Sequence, residues 1–385
     1  MNDLYTYKKG LMTQFPFARG REAVCKNIGD YIQAVATRQF VDRIDEYIEQ
    51  EEANNYFPSD QKPIRLIMNG WFQWRSENWP PSEYIYPLLI SMHISPLKAE
   101  ELLNDKGIAF LKKFGPVGCR DHYTRSLLES KGIPAYFSAC MTLTLGRCYS
   151  VSKEERSGVY IVDPYFRIPE ITEEVNGKKK FHLLNAVKGV LTIIRHYRNA
   201  KKLSKKSFFK DYSPKGFLDR NNSAWRRLYK SALFYKTYSK KFGSDIIMNA
   251  EYITHWMDVK MDGSVTNDDL LDTAESLIKK YAGARMVITS RIHAGLPCLG
   301  VGTPVIFIAN EEVVSDTGTF NTPGRLGGLI ELFRVMTLTN GHFSTKDSVL
   351  EKMDKISLDQ NFNNKEDWKE YAEKLAEKAE SFMRD

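Results

Sequence analysis

The stretch MVITSRIHAGLPCLGVGTPVIFI, from Met286 to Ile308, decides the fold. MVITS and PVIFIAN read as short buried strands, and the residues between them read as a helix whose start carries Arg291 and His293. Ser290 is placed to cap that helix, which would leave backbone N–H groups and the positive end of its dipole facing a cleft. Upstream, DDLLDTAESLIKKYAG has a helical pattern, and GVYIVDPY (Gly158 to Tyr165) reads as a strand stopped by Asp-Pro. DIIMNAEYITHW supplies one more strand-like run before that helix. Strand, helix, strand, helix, strand is the doubly wound α/β pattern.

The same alternation extends to the first half. Candidate strands are Ile64 to Met68, Leu88 to His93, Pro116 to Cys119 and Ala135 to Ala139. Candidate helices are YIQAVATRQF after Asn27-Ile28-Gly29-Asp30, the whole of KAEELLNDKGIAFLKKF, and DHYTRSLLESKG, with an acidic first residue and a glycine stop. At 385 residues the chain exceeds one comfortable core, and two domains imply a cleft. The expected division is residues 1–151, residues 152–345, and a linker with an amphipathic helix over 346–385.

Five scattered cysteines show no metal-ligand spacing and no disulfide framework, so no metal is expected and a reducing compartment is. The N-terminus lacks a signal-peptide apolar run, and no stretch approaches the ~20 apolar residues of a spanning helix. A cytoplasmic protein is the expectation. The net charge of +7 is concentrated between Arg195 and Lys241, which hold 15 Lys and Arg against Asp211 and Asp219, so the remainder is net acidic. Within this insertion, SAWRRLYKSALFYKTYSKKF sets Trp225, Leu228, Tyr229, Ala232, Leu233 and Tyr235 near one helical stripe. Arg226, Arg227, Lys230, Lys240 and Lys241 fall outside it. That pattern fits an ordinary surface helix, or peripheral docking on anionic headgroups at the inner membrane face or on a polyanionic glycan. No nucleic-acid module accompanies the charge, so nucleic acid is not expected.

Ligands of open α/β sheets sit beyond the carboxyl ends of strands. Arg120, after Pro116-Val117-Gly118-Cys119, and Arg291 and His293, after Met286 to Thr289, occupy such positions. Arginine matches carboxylate and phosphate bidentately, and histidine carries a proton near neutral pH. The competing readings are a surface pair of Arg120 with Asp121 and a core role for His293. Ala294 and Gly295 beside His293 permit close approach of a ligand. His255, a lone histidine ending EYITH, reads as structural.

Four segments, KNIGDYIQAVATRQF, LIMNGWFQWRSENWPPS, PVGCRDHYTRSLLESKGIPAYFSACMTLTL and VITSRIHAGLPCLGVGTPVIFI, together resemble the polysaccharide pyruvyl transferase family. Ser-Arg-Ile-His-Ala and Gly-Cys-Arg-Asp are the specific elements. The resemblance implies two Rossmann-like domains in a GT-B-like arrangement, phosphoenolpyruvate as co-substrate with no other cofactor, and a sugar acceptor, lipid-linked or polymeric. It assigns Arg120 and Arg291 to the donor and His293 to proton donation. Asn27, Gly29, Asp30, Asn69 and Gly70, taken as strand-to-helix junctions of the first domain, are assigned to the acceptor or the cleft, while Arg325 in GRLGGL reads either as reaching the cleft from the second domain or as capping a surface turn.

Two rivals remain. A nucleotide-sugar glycosyltransferase on the same architecture would use Glu311 and Glu312 for a ribose, but the positions eight residues on are Thr319 and Phe320, so the paired-glutamate spacing is missing. A non-catalytic glycan-binding scaffold would have lost the Arg/His set, which is intact.

Overall fold

The computed structural model describes residues 7–14, 23–72, 75–175, 178–213, 218–219, 223–260, 262–310 and 324–384. Glu311 and Glu312 lie outside them. In chain order the first half holds β1 (Lys8–Thr13), β2 (Ala23–Asn27), helix α1 (Gly29–Arg38), β3 (Glu46–Glu49), β4 (Ile64–Phe72) and β5 (Ile85–Ile94). Helix α2 (Asp105–Phe114), β6 (Val117–Cys119), helix α3 (His122–Ser130) and β7 (Ala135–Phe137) follow. Six of these strands form one wholly parallel sheet, ordered β3-β1-β4-β5-β6-β7.

The second half begins with β8 (Ser157–Val162) and the hairpin β9 (Thr172–Val175) and β10 (Lys178–Phe181). Helices α4 (Leu183–Leu203) and α5 (Ala224–Tyr238) follow, then β11 (Glu251–Ile253), β12 (Trp256–Lys260) and helix α6 (Asn267–Ala282). β13 (Ala284–Thr289), helix α7 (Ile292–Gly300), β14 (Val305–Asn310), β15 (Arg334–Thr339), β16 (His342–Ser344) and helix α8 (Trp368–Arg384) complete it. The second sheet runs β11-β8-β13-β14-β15-β16 and is parallel except for β16. Both β13 and β14 are buried almost throughout, as expected for parallel strands covered on two faces. No described helix is long and apolar enough to cross a membrane.

Local chemistry explains the boundaries. Thr266 and Asp269 form a reciprocal capping box at the start of α6, and Lys279 and Lys280 lie in its last turn. KAEELLNDKGIAFLKKF is not one helix. Asn104 accepts the Gly107 N–H at 3.0 Å and starts α2 afresh, and a Cβ on Gly107 would lie 1.9 Å from the Leu102 carbonyl oxygen. DIIMNAEYITHW is likewise not one strand: Ser244–Asn249 is helical, and β11 begins only at Glu251. Asn69 and Gly70 sit inside β4 rather than at a junction, where the register slips against β5 and Gly70 takes φ +132°.

β2 belongs to neither sheet. It pairs antiparallel with β12, Asn27 opposite Trp256, so an early segment is stitched to the second half of the chain. That pairing delivers α1 to α6 and α7. Tyr31, Ile32 and Val35 of α1 share one apolar core with Leu270, Ala274 and Ile278 of α6, Leu296 and Leu299 of α7, and Leu375 and Ala379 of α8. Helix α8 also reaches the first sheet, where Arg65 donates to the Phe382 carbonyl at 2.7 Å and Tyr86 stacks on the Phe382 ring.

Candidate active site

At the end of β13, the Thr289 hydroxyl donates to the Val162 carbonyl at 2.9 Å and accepts the Arg291 N–H at 2.9 Å, locking the strand's exit against the end of β8. Ser290 does not cap α7. Its oxygen accepts the Tyr165 N–H at 2.8 Å, and the N-cap position falls on Arg291, whose side chain makes no capping bond. The Arg291 guanidinium instead donates through Nε to Asp163 at 2.9 Å and lies over the Trp256 ring at 5.1 Å. Asp163 holds φ +39° just after β8, and the same carboxylate oxygen accepts the His255 N–H at 2.9 Å.

Arg120 follows β6 directly and is 2% exposed. The competing reading, a surface pair with Asp121, does not hold: among the described residues no ion pair joins the two. The Asp121 carboxylate caps α3 through the Thr124 N–H at 2.8 Å and meets His93 Nδ1 at 2.6 Å. Arg120 reaches only Gln33 Oε1 of α1, at 3.4 Å; its Nε has no partner, and it makes no ion pair among the described residues. A buried cation without a carboxylate is costly unless a ligand supplies the missing charge.

Arg325 comes to the same place from the second half. Its turn, Gly324 to Gly328, docks on the start of α3: the His122 N–H bonds the Gly327 carbonyl, and Gly324 and Gly328, both at positive φ, pack on Tyr123 and Phe137 with no room for a Cβ. Burial and the charges of Arg120 and Arg291 pull the Arg325 pKa down to about 10.

His293, in the first turn of α7, is buried, with Nδ1 3.8 Å from Asp30 and Nε2 unpartnered. Burial, then Arg120, Arg325, His255 and Arg291, push its pKa well below the usual imidazole range, so it is neutral at pH 7. Asp30 is shifted upward by removal from water, against the pull of Lys26 and the three arginines. Lys26, over the Tyr31 ring, is lowered to about 7 by burial, opposed by Asp30 and Glu49.

Gly29 holds the two halves in contact. A Cβ there would lie 3.0 Å from Asn27 Oδ1, His255 Nδ1 and His293 Cβ, and the Gly29 N–H bonds Asn27 Oδ1 at 3.1 Å. The structure therefore gathers Asn27, Gly29, Asp30, Arg120, Arg291, His293 and Arg325. No hydrogen bond or ion pair among the described residues joins Asn69 or Gly70 to this set; the Asn69 Nδ2 is buried without a partner, and Gly70 faces Gln14 and Gln50. Two guanidiniums, just past β6 and β13, and a third from the Gly324–Gly328 turn surround a neutral imidazole, with Asp163 just past β8, an arrangement whose chemistry suits a small polyanion beside a group that can carry a proton. A model of the polysaccharide pyruvyl transferase family matches residues 27–312.

The chain belongs to the polysaccharide pyruvyl transferase family. It is thus a pyruvyl transferase of polysaccharide biosynthesis. No curated protein matches it. The family match takes in Arg120, Arg291 and His293, while Arg325 lies past its end.

Sequence reasoning missed Asp163, Lys26 and Gln33 and read His255 as structural. His255 is in part that, since Nε2 bonds the Tyr281 hydroxyl at 2.7 Å, but its buried Nδ1 faces Gly29. Asp163 carries a usable signal, since like Arg120 and Arg291 it stands just past a strand, although Asp-Pro by itself reads only as a strand's stop.

Proposed function

We propose that this pyruvyl transferase uses phosphoenolpyruvate as donor and bridges two hydroxyls of a sugar, in a cell-surface polysaccharide or its lipid-linked precursor, as a pyruvate ketal. The observation that carries this reading is Arg120, buried without a carboxylate and grouped with Arg291 and Arg325 around the unpartnered Nε2 of His293. The donor's adjacent carboxylate and phosphate supply the negative charge this group lacks. Each half of the chain is read as a Rossmann-like domain in a GT-B-like arrangement, divided near Val151, working at the cytoplasmic face of a membrane.

The chemistry then follows from charge. Burial first and the arginine charges after it keep His293 neutral; the donor's charge offsets the arginines, so the imidazole gains a proton, steadied at Nδ1 by Asp30. His293 passes that proton to the methylene carbon, which becomes the methyl group. One sugar hydroxyl forms its C–O bond at the neighbouring carbon and returns a proton to the now neutral His293. The carbon–oxygen bond to phosphate breaks with its electron pair on phosphate, and the second hydroxyl attacks the same carbon, gives its proton to the departing phosphate and closes the ketal.

The test supplies the enzyme with phosphoenolpyruvate or, separately, UDP-sugars, against lipid-linked glycans, and follows phosphate release and product mass. The expected result is a pyruvate ketal, lost in His293→Ala at unchanged melting temperature. A hexose gain, or unchanged turnover in that variant, contradicts the proposal.

A further inference from the structure

Helix α4 packs one face on α5 through Gly189, Thr192, Ile193, Ala200 and Leu203. Gly189 sits so close to Tyr229 of α5 that a Cβ would lie 2.9 Å from that ring. The opposite face of its first three turns is apolar and bare. Leu183, Leu184, Val187, Val190, Leu191 and Ile194 are 45–68% exposed, at spacings of three and four that align them along one stripe. An uninterrupted aliphatic stripe in water is unfavourable and marks a contact surface.

The charge on the helix that carries the stripe is all of one sign. Lys188 and Arg195 flank the stripe, Arg198, Lys201 and Lys202 follow past a kink at His196 toward the C-terminal end, and the helix holds no Asp or Glu. The basic amphipathic pattern read in α5 is a different matter. Lys230, expected on its outer side, is fully buried and donates to the Lys210 and Tyr212 carbonyls and to Asp219, so much of α5 is core.

We infer that α4 lies along an anionic phospholipid surface, with the Leu183–Ile194 stripe set among the acyl chains and its cations on the headgroups. Charge selects this occupant. A second copy docked face to face would oppose lysine and arginine to their own kind, and a soluble polyanion would leave the aliphatic stripe in water. A path to the site also exists. The loop after β8 runs from Asp163, which holds Arg291, through Pro164, Pro169 and Glu170 to the foot of α4. There Asn185 donates to the Glu170 carbonyl at 2.8 Å, while the hydroxyls of Tyr212 and Tyr229 bond the carbonyls of Pro164 and Pro169. The inference is independent of the donor assigned above.

The test is sedimentation of the full-length protein with phosphatidylcholine vesicles, with and without phosphatidylglycerol, alongside light scattering. Binding is expected only with phosphatidylglycerol. It should weaken by about tenfold or more in Leu184→Ser/Leu191→Ser/Ile194→Ser and in Lys201→Glu/Lys202→Glu, and fall at high salt. Melting temperature and phosphate release with a soluble acceptor should match wild type in both variants, since these side chains face solvent. Equal binding to both vesicles, binding untouched by the serine variant, or a dimer that this variant dissociates would each overturn the inference.

Discussion

Among single residues, Arg120 sets the sharpest conflict between stability and function. Its guanidinium is removed from water with only a 3.4 Å contact to Gln33. Arg120→Met should raise the melting temperature of the free enzyme, by up to about 3 kcal/mol in stability, while abolishing donor binding. Arg120→Lys should keep the fold and raise the donor KM about tenfold to a hundredfold, through loss of the two-pronged contact. A donor KM unchanged in either variant removes Arg120 from the site. Asp163 acts at one remove, by holding Arg291. Asn suits a left-handed φ, so Asp163→Asn should fold normally, yet loss of the ion pair should free Arg291 and raise the donor KM about tenfold with a smaller change in kcat. Steady-state kinetics with varied phosphoenolpyruvate measure both.

Taking elements next, the site depends on how close α1 can come to α7. Gly29 in a helix costs about 1 kcal/mol relative to alanine, so propensity alone favours Gly29→Ala. Crowding should win, because the new Cβ would meet His255 and His293 at 3.0 Å. The expected outcome is a kcat reduced about tenfold or more, with little change in melting temperature; wild-type kcat would show that the spacing is immaterial. Elements with strong local signals were legible in the sequence. The buried runs at β4, β5, β8, β13 and β14 announce themselves by composition, helix α3 by its end residues and helix α6 by its pattern. What the sequence hid were features set by long-range pairing. β2 has its partner, β12, more than two hundred residues away. Arg120 and Arg291 were legible as strand-end cations. That Asp121 serves His93 and α3 rather than Arg120 is a matter of geometry that adjacency in sequence misstates.

For the whole molecule, protonation ties stability to the site. Burial lowers His93 and His255 to about 4 and His293 well below its usual range, so all three are neutral in the folded enzyme. The unfolded chain binds protons at these positions below pH ~6.5, while the fold resists them. Stability is therefore full above that value and is lost as pH falls toward 4, by on the order of a few kcal/mol for each of His93 and His255, with His293 acting in the same direction. Chemical denaturation across this range should show the decline, and a flat profile between pH 7 and 5 would contradict neutral burial. The donor should counter the effect at His293 alone, because its charge offsets Arg120, Arg291 and Arg325. Calorimetric titration with phosphoenolpyruvate, in buffers of differing ionisation enthalpy near neutral pH, tests this most directly. Binding should take up about one proton in the wild type and proceed without that uptake in His293→Ala. Absence of donor binding, or the same proton uptake in both proteins, would contradict it.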